Sequence, residues 1–185
     1  MRLISLNKIL FAVIASAAIK IPSLAIAQEI TPPSTPLPTP TGLMFKPNHV
    51  ALRVADLEES VQWWKSVFGA VEVRRSQISN IDPEAEIVFL HITDGFHIEL
   101  VGGGSPEILE PPKDIAADYG ITGYKHIGFM VPDLERTLEH LAQNGVEPEY
   151  EVERPDYGVR IVLFRDPTGH YIELYEPLSQ VGETN

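Results

Sequence analysis

The chain contains no cysteine in its 185 residues, which excludes disulfides, thiolate metal sites and cysteine nucleophiles together. Any bound metal has to be held by His, Asp or Glu. Positive charge is also scarce: 14 Lys plus Arg stand against 26 Asp plus Glu, a formal charge of −12. Such a surface repels phosphate backbones and anionic membranes, so nucleic acid is set aside as a partner. The apolar run from Ile9 to Ile19 stops at Lys20, well short of the roughly 20 residues needed to span a bilayer.

That run instead has the layout of an export signal. Arg2 and Lys8 precede it, and Ala25 and Ala27 supply small residues where a signal peptidase reads. Residues 1–27 are expected to be removed after Ala27, giving a secreted or periplasmic protein with no membrane contact. Losing Arg2, Lys8 and Lys20 leaves 11 basic against 26 acidic side chains, a charge of −15. Residues 28–44 read as a proline-rich linker, because TPPSTPLPTPT favours extended polyproline II and offers no apolar face. The folded domain is expected over 45–178, followed by a polar tail over 179–185. Its 44% hydrophobic content is ordinary for a globular chain.

An internal repeat organises that domain. NHVALRVADLEES from Asn48 aligns with KHIGFMVPDLERT from Lys125, placing His49 on His126 and Asp56-Leu57-Glu58 on Asp133-Leu134-Glu135. A second block, IVFLHITDGFHIEL from Ile87, aligns with IVLFRDPTGHYIEL from Ile161 and puts Glu99 on Glu173. Each copy starts with a short alternating strand, and Asp56 or Asp133 then caps a helix start. Leu57, Val61, Trp64 and Phe68 form one helical core stripe; Leu134, Leu138 and Leu141 form the other. Trp64 is expected to pack, while Trp63 is undecided between packing and ligand contact. Gly69 and Gly145 end the helices, and hairpins are expected around Asp94-Gly95 and Thr168-Gly169.

The fold class read from this pattern is α+β: two tandem βαβββ modules forming curved, mainly antiparallel sheets around a cleft. Module one covers 45–104, a connecting loop 105–121 and module two 122–178. The wider stretch 102–122, GGGSPEILEPPKDIAADYGIT, reads either as a flap over the cleft or as a surface crossover.

Side chains alternate across a strand, so His49, Ala51 and Arg53 share one face, as do His126, Gly128 and Met130. Glu99 shares its face with His97, and Glu173 with Tyr171 and Tyr175. Each module thus offers one His and one Glu, and a pseudo-twofold arrangement is expected to bring His49, Glu99, His126 and Glu173 to one point. Two imidazoles and two carboxylates suit one divalent metal ion, Zn, Ni, Co, Mn or Fe. Two positions would stay open on an octahedral ion, for a small-molecule substrate with adjacent oxygens whose enediolate-like anion the metal stabilises. Glu173 is the candidate base, with Glu99 its symmetry mate. Arg53, His97, Tyr171 and Met130 are the candidate substrate contacts, whereas His91 and His170 are expected to be structural or exposed.

At these residues the chain resembles the vicinal oxygen chelate superfamily, which includes glyoxalase I, methylmalonyl-CoA epimerase, extradiol dioxygenases, fosfomycin-resistance enzymes and bleomycin-binding proteins. The resemblance spans about Lys46 to Pro177 and rests on HVALRVADLEESVQWWKSVFGA, GYKHIGF and FRDPTGHYIELYEP. The His, Glu, His, Glu order is similar to that of glyoxalase I. It implies a lyase or isomerase acting on an α-carbonyl compound or its thiol adduct, with Arg53 at the position that receives a glutathione carboxylate. Homodimers with sites near the interface are common in the superfamily. Trp63-Trp64 replace the usual Phe-Tyr, Gly103 stands where an asparagine contacts glutathione, and Lys125 stands where Gly or His is usual. Glutathione itself is therefore not implied. The alternatives are a non-catalytic binding protein of the resistance type, an epimerase, or an Fe(II) dioxygenase.

Overall fold

A computed structural model of the chain describes residues 45–178 except 79 and 94. The expected signal segment, linker and polar tail therefore lie outside the described residues. Module one runs β1 (His49–Arg53), α1 (Leu57–Phe68), β2 (Val71–Ile78), β3 (Asp82–Thr93) and β4 (Phe96–Gly103). A short helix absent from the sequence reading, α2 (Ile115–Tyr119), lies in the connecting segment. Module two runs β5 (His126–Met130), α3 (Leu134–Gln143), β6 (Tyr150–Arg154), β7 (Val159–Arg165) and β8 (Tyr171–Pro177).

Each module forms its own four-stranded sheet, ordered β1-β4-β3-β2 and β5-β8-β7-β6. The outer pair is parallel in each sheet, because the chain passes through a helix and two further strands before returning beside β1 or β5. The other two pairings are antiparallel hairpins. Asp56 Oδ1 accepts from Glu59 N at 2.9 Å and Asp133 Oδ1 from Arg136 N at 2.9 Å, so each helix starts at an aspartate cap. Gly69 closes α1 at φ 64°, a left-handed conformation that a residue with a Cβ adopts only at a cost.

One hydrophobic core joins the modules. Val61 and Trp64 of α1 and Leu134 and Leu141 of α3 are buried in it, together with the inward rows of both sheets, such as Ile98, Leu100, Ile172 and Leu174. The aromatic residues of α1 lie across the back of sheet two. Phe68 is 5.1 Å from Phe129 of β5, and Trp63 is 6.3 Å from Phe164 of β7. Trp63 also meets Trp64 edge-on at 5.4 Å, so its role is packing between modules. Burying each such side chain is worth about 1.5–3 kcal/mol. Because both sheets turn their apolar rows to this shared core, their opposite faces point away from it.

Candidate functional site

The outward face of sheet one carries the first expected pair. His49 opens β1 and Glu99 lies mid-strand in β4, with His49 Nε2 3.0 Å from Glu99 Oε2. In module two, His126 Nε2 is 3.5 Å from Glu173 Oε2. Both pairs follow from one register: β1 and β4 run parallel with Ala51 opposite Glu99, and β5 and β8 run parallel with Gly128 opposite Glu173. The small residue opposite each Glu leaves room for its carboxylate to turn toward the His. At Gly128, even an added Cβ would sit 3.5 Å from Glu173 Oε1.

The four residues stand as two separate pairs within the chain, the pairing of modules within or between chains being open in the sequence. Among the described residues no group of three or more His, Cys, Asp or Glu gathers closely enough to hold a metal. The physical reason is the shared core. With α1 packed against the back of sheet two, the two His–Glu faces are turned outward on separate sheets, and the two pairs stay apart.

The donors themselves suit a cation. Asn48 Oδ1 lies 2.8 Å from His49 Nδ1 and Glu99 Oε2 lies 3.0 Å from its Nε2. A neutral imidazole has one proton for these two oxygens, and the Nε2–Oε2 contact needs a proton or a cation between its atoms. In module two, His126 Nδ1 is buried and has no hydrogen-bond partner.

Around the first pair the sheet register aligns three imidazoles. His49 is opposite His97, and His97 is opposite His91 of β3. The rings of His91 and His97 are 5.3 Å apart, and Phe89 meets His49 edge-on at 5.4 Å. His97 thus lies beside the His49–Glu99 pair. His91 stands directly across from His97 in the β3–β4 hairpin. That symmetry about the turn was the signal available in the sequence.

The matching row in module two is His126, Tyr171 and Arg165. Tyr171, an expected substrate contact, is only 3% exposed. Its hydroxyl accepts from Arg165 Nη2 at 2.5 Å and donates to Glu149 Oε2 at 2.9 Å. Burial, then the Glu149 contact, pushes the phenol above its usual range. Tyr171 is thus engaged by the protein itself. Met130 remains open at 61% exposure. Arg165 also donates to the Pro112 carbonyl at 2.6 Å, tying the connecting segment to sheet two. Lys125 Nζ does the same through the Asp118 carbonyl at 2.6 Å. Burial, then the charge of Glu173, raises the Tyr119 phenol of α2. The segment is thus anchored on module two.

Arg53 donates through Nη2 to the Gly103 carbonyl, while its Nη1 is buried without a partner. It lines a cleft of about 770 Å³ along the free edge of β1, with Tyr171, Leu109 and Tyr124 among the other walls. None of His49, Glu99, His126 or Glu173 lines that cleft. β1 and β5 are edge strands, as are β2 and β6, each paired on one side only.

Residues 46–174 match the model of the glyoxalase/bleomycin resistance protein/dioxygenase superfamily. The chain belongs to this superfamily. It is 29% identical over 135 residues to a lactoylglutathione lyase of Escherichia coli O157:H7, covering 69% of this chain and 90% of that protein. The trypanothione-dependent glyoxalase I of Leishmania major shares the fold at a TM-score of 0.56 and 20% identity, over 72% of this chain and 87% of that one. So does the fosfomycin resistance protein FosX of Listeria monocytogenes, in a complex with Mn(II) and sulfate. Its TM-score is 0.52 at 22% identity, over 74% of this chain and 96% of that one. In superfamily terms, each four-stranded sheet with its helix is one of the two repeated modules.

Proposed function

We propose that this superfamily member is an exported, metal-dependent lyase or isomerase of the glyoxalase I type, acting on a small α-carbonyl compound or its thiol adduct. The observation that carries the proposal is the pair of repeat-equivalent His–Glu contacts, His49–Glu99 and His126–Glu173. The lactoylglutathione lyase relatives support the reaction class. One divalent ion, Zn, Ni, Co, Mn or Fe, would be held by these four residues and would supply Lewis acidity toward two adjacent substrate oxygens.

Glu173 is the base that takes the carbon-bound proton and returns it to the neighbouring carbon, with Glu99 its symmetry mate. Arg53 Nη1, buried and unpartnered, offers a donor to a carboxylate on the substrate or its thiol carrier. His97 and Met130 flank the half-sites. Tyr171 contributes through its contact with Arg165.

Because each chain presents two half-sites, the working unit in this reading is a homodimer, with module one of one copy facing module two of the other. The free edges of β1 and β5 support this, as do the exposed apolar residues near them, among them Ile108, Leu109 and Tyr124. Export rests on the amino-terminal sequence, with cleavage after Ala27 and the proline-rich stretch as a spacer. No helix among the described residues is long and apolar enough to cross a membrane.

The test is turnover of the hemithioacetal of methylglyoxal by the protein purified from its exported form. Activity that is lost on chelation, restored by one of the five metals and lowered about 10²–10⁴-fold in Glu173→Gln supports the proposal. Metal loading without turnover overturns it. The cleft of about 770 Å³ away from both pairs favours a second reading, a small-molecule binding protein. That reading requires a ligand that is held unchanged and is indifferent to Glu173→Gln.

A further inference from the structure

His91 of β3 and His97 of β4 are direct partners across their hairpin, and their rings lie 5.3 Å apart at an interplanar angle of 58°. The backbone sets that approach. Leu90 and Ile98, the next pair along the same two strands, are wholly buried in the shared core, so alternation carries the two imidazoles on the opposite, outward face. Two imidazoles bound to one tetrahedral zinc at about 2.0–2.1 Å hold their ring centres roughly 5 Å apart. The spacing of His91 and His97 therefore matches a shared ion. Both residues are half-buried, which leaves the ion's other positions to water. The Asn48 backbone carbonyl lies 3.3 Å from His97 Nδ1, an outer contact of the kind that orients a ligating imidazole.

Module two fills the same two places differently. Arg165 and Tyr171 occupy them in the same register. There the guanidinium donates to the phenol at 2.5 Å and lies 4.1 Å over its ring. That pair has its cation built in, whereas two neutral imidazoles can take one from solution.

We propose that His91 and His97 form a cation site of their own, beside the His49–Glu99 pair and separate from it, that takes Zn²⁺, Cu²⁺ or Ni²⁺. Imidazole nitrogen suits these ions, and the chain's formal charge of −12 draws cations to its surface. Ca²⁺ and Mg²⁺ are not its ligands, because they require oxygen donors. The site goes beyond the proposed catalytic ion and does not depend on it, since it uses none of His49, Glu99, His126 or Glu173.

The experiment uses protein purified from its exported form, stripped of metal and titrated with zinc in competition with a chromophoric chelator. His126→Ala removes a ligand of the proposed catalytic ion and leaves the His91–His97 pair intact, so it should still bind one zinc per chain. Adding either His91→Gln or His97→Gln should abolish that binding. Copper(II) held by His126→Ala should show spin-echo modulation from two imidazoles, and from no more than one when His91 is also replaced. Unchanged thermal unfolding of the metal-free variants separates a lost ligand from a lost fold. Zinc bound equally well with and without His91 overturns the proposal, as does a His126→Ala protein that binds no zinc. A further equivalent in the wild type that depends on His126 reports the catalytic ion, so the two readings fail separately.

Discussion

Nδ1 of His170 lies 2.9 Å from Oδ2 of Asp166, a carboxylate whose side chain is wholly buried. The same carboxylate accepts the backbone N–H groups of Thr168 and His170 at 3.0 and 2.9 Å, holding the turn between β7 and β8. His170 is therefore an element of the hairpin, as the sequence suggests for a structural histidine, and it is also a titrating one.

The Asp166 hydrogen bond raises the His170 pKa above its ordinary value, against the opposing effect of burial. A group whose folded pKa is raised stabilises the fold fully below its unfolded pKa, about 6.5. That contribution is lost as pH rises through the folded value. Because the imidazole is 38% exposed, screening keeps the gain below about 1 kcal/mol. Urea unfolding at pH 6 and pH 9 should show wild type losing more stability than His170→Gln over this interval. Parallel losses in both proteins would remove His170 as the cause.

Gly102 is buried near the end of β4, against the start of α1. A Cβ at Gly102 would lie 2.4 Å from the Cβ of Leu57, closer than two carbons can approach. Gly102→Ala therefore has to push helix and strand apart, at a cost of about 1–3 kcal/mol. Chemical denaturation measures it, and trimming the neighbour in Leu57→Ala/Gly102→Ala should recover part of the loss. Additive losses in the double variant would mean that the strain is taken up elsewhere.

If each metal site draws one half from each copy, two inactive variants should complement. His49→Ala and His126→Ala homodimers each have both sites damaged. A mixed dimer combines both lesions in one site and leaves the other intact. Refolding the two together should restore metal binding to roughly half of the sites in the mixed species, resolved by differential tags and elemental analysis. Sites built within single chains would show no recovery at all.

The sequence by itself determined the module. The repeat, the aspartate caps at Asp56 and Asp133 and the strand alternation are local signals, and they place His49 with Glu99 and His126 with Glu173 because register within a module follows from short-range patterning. Only the tertiary structure decided how the modules meet. That depends on Trp63, Phe68, Phe129 and Phe164 packing across one core, contacts between residues far apart in sequence that no periodicity encodes. The same packing turns the two His–Glu faces away from each other. The engagement of Tyr171 by Arg165 and Glu149, and the anchoring of the connecting segment at Pro112, were hidden for the same reason. Each joins segments whose spacing along the chain carries no signal until the sheets have formed.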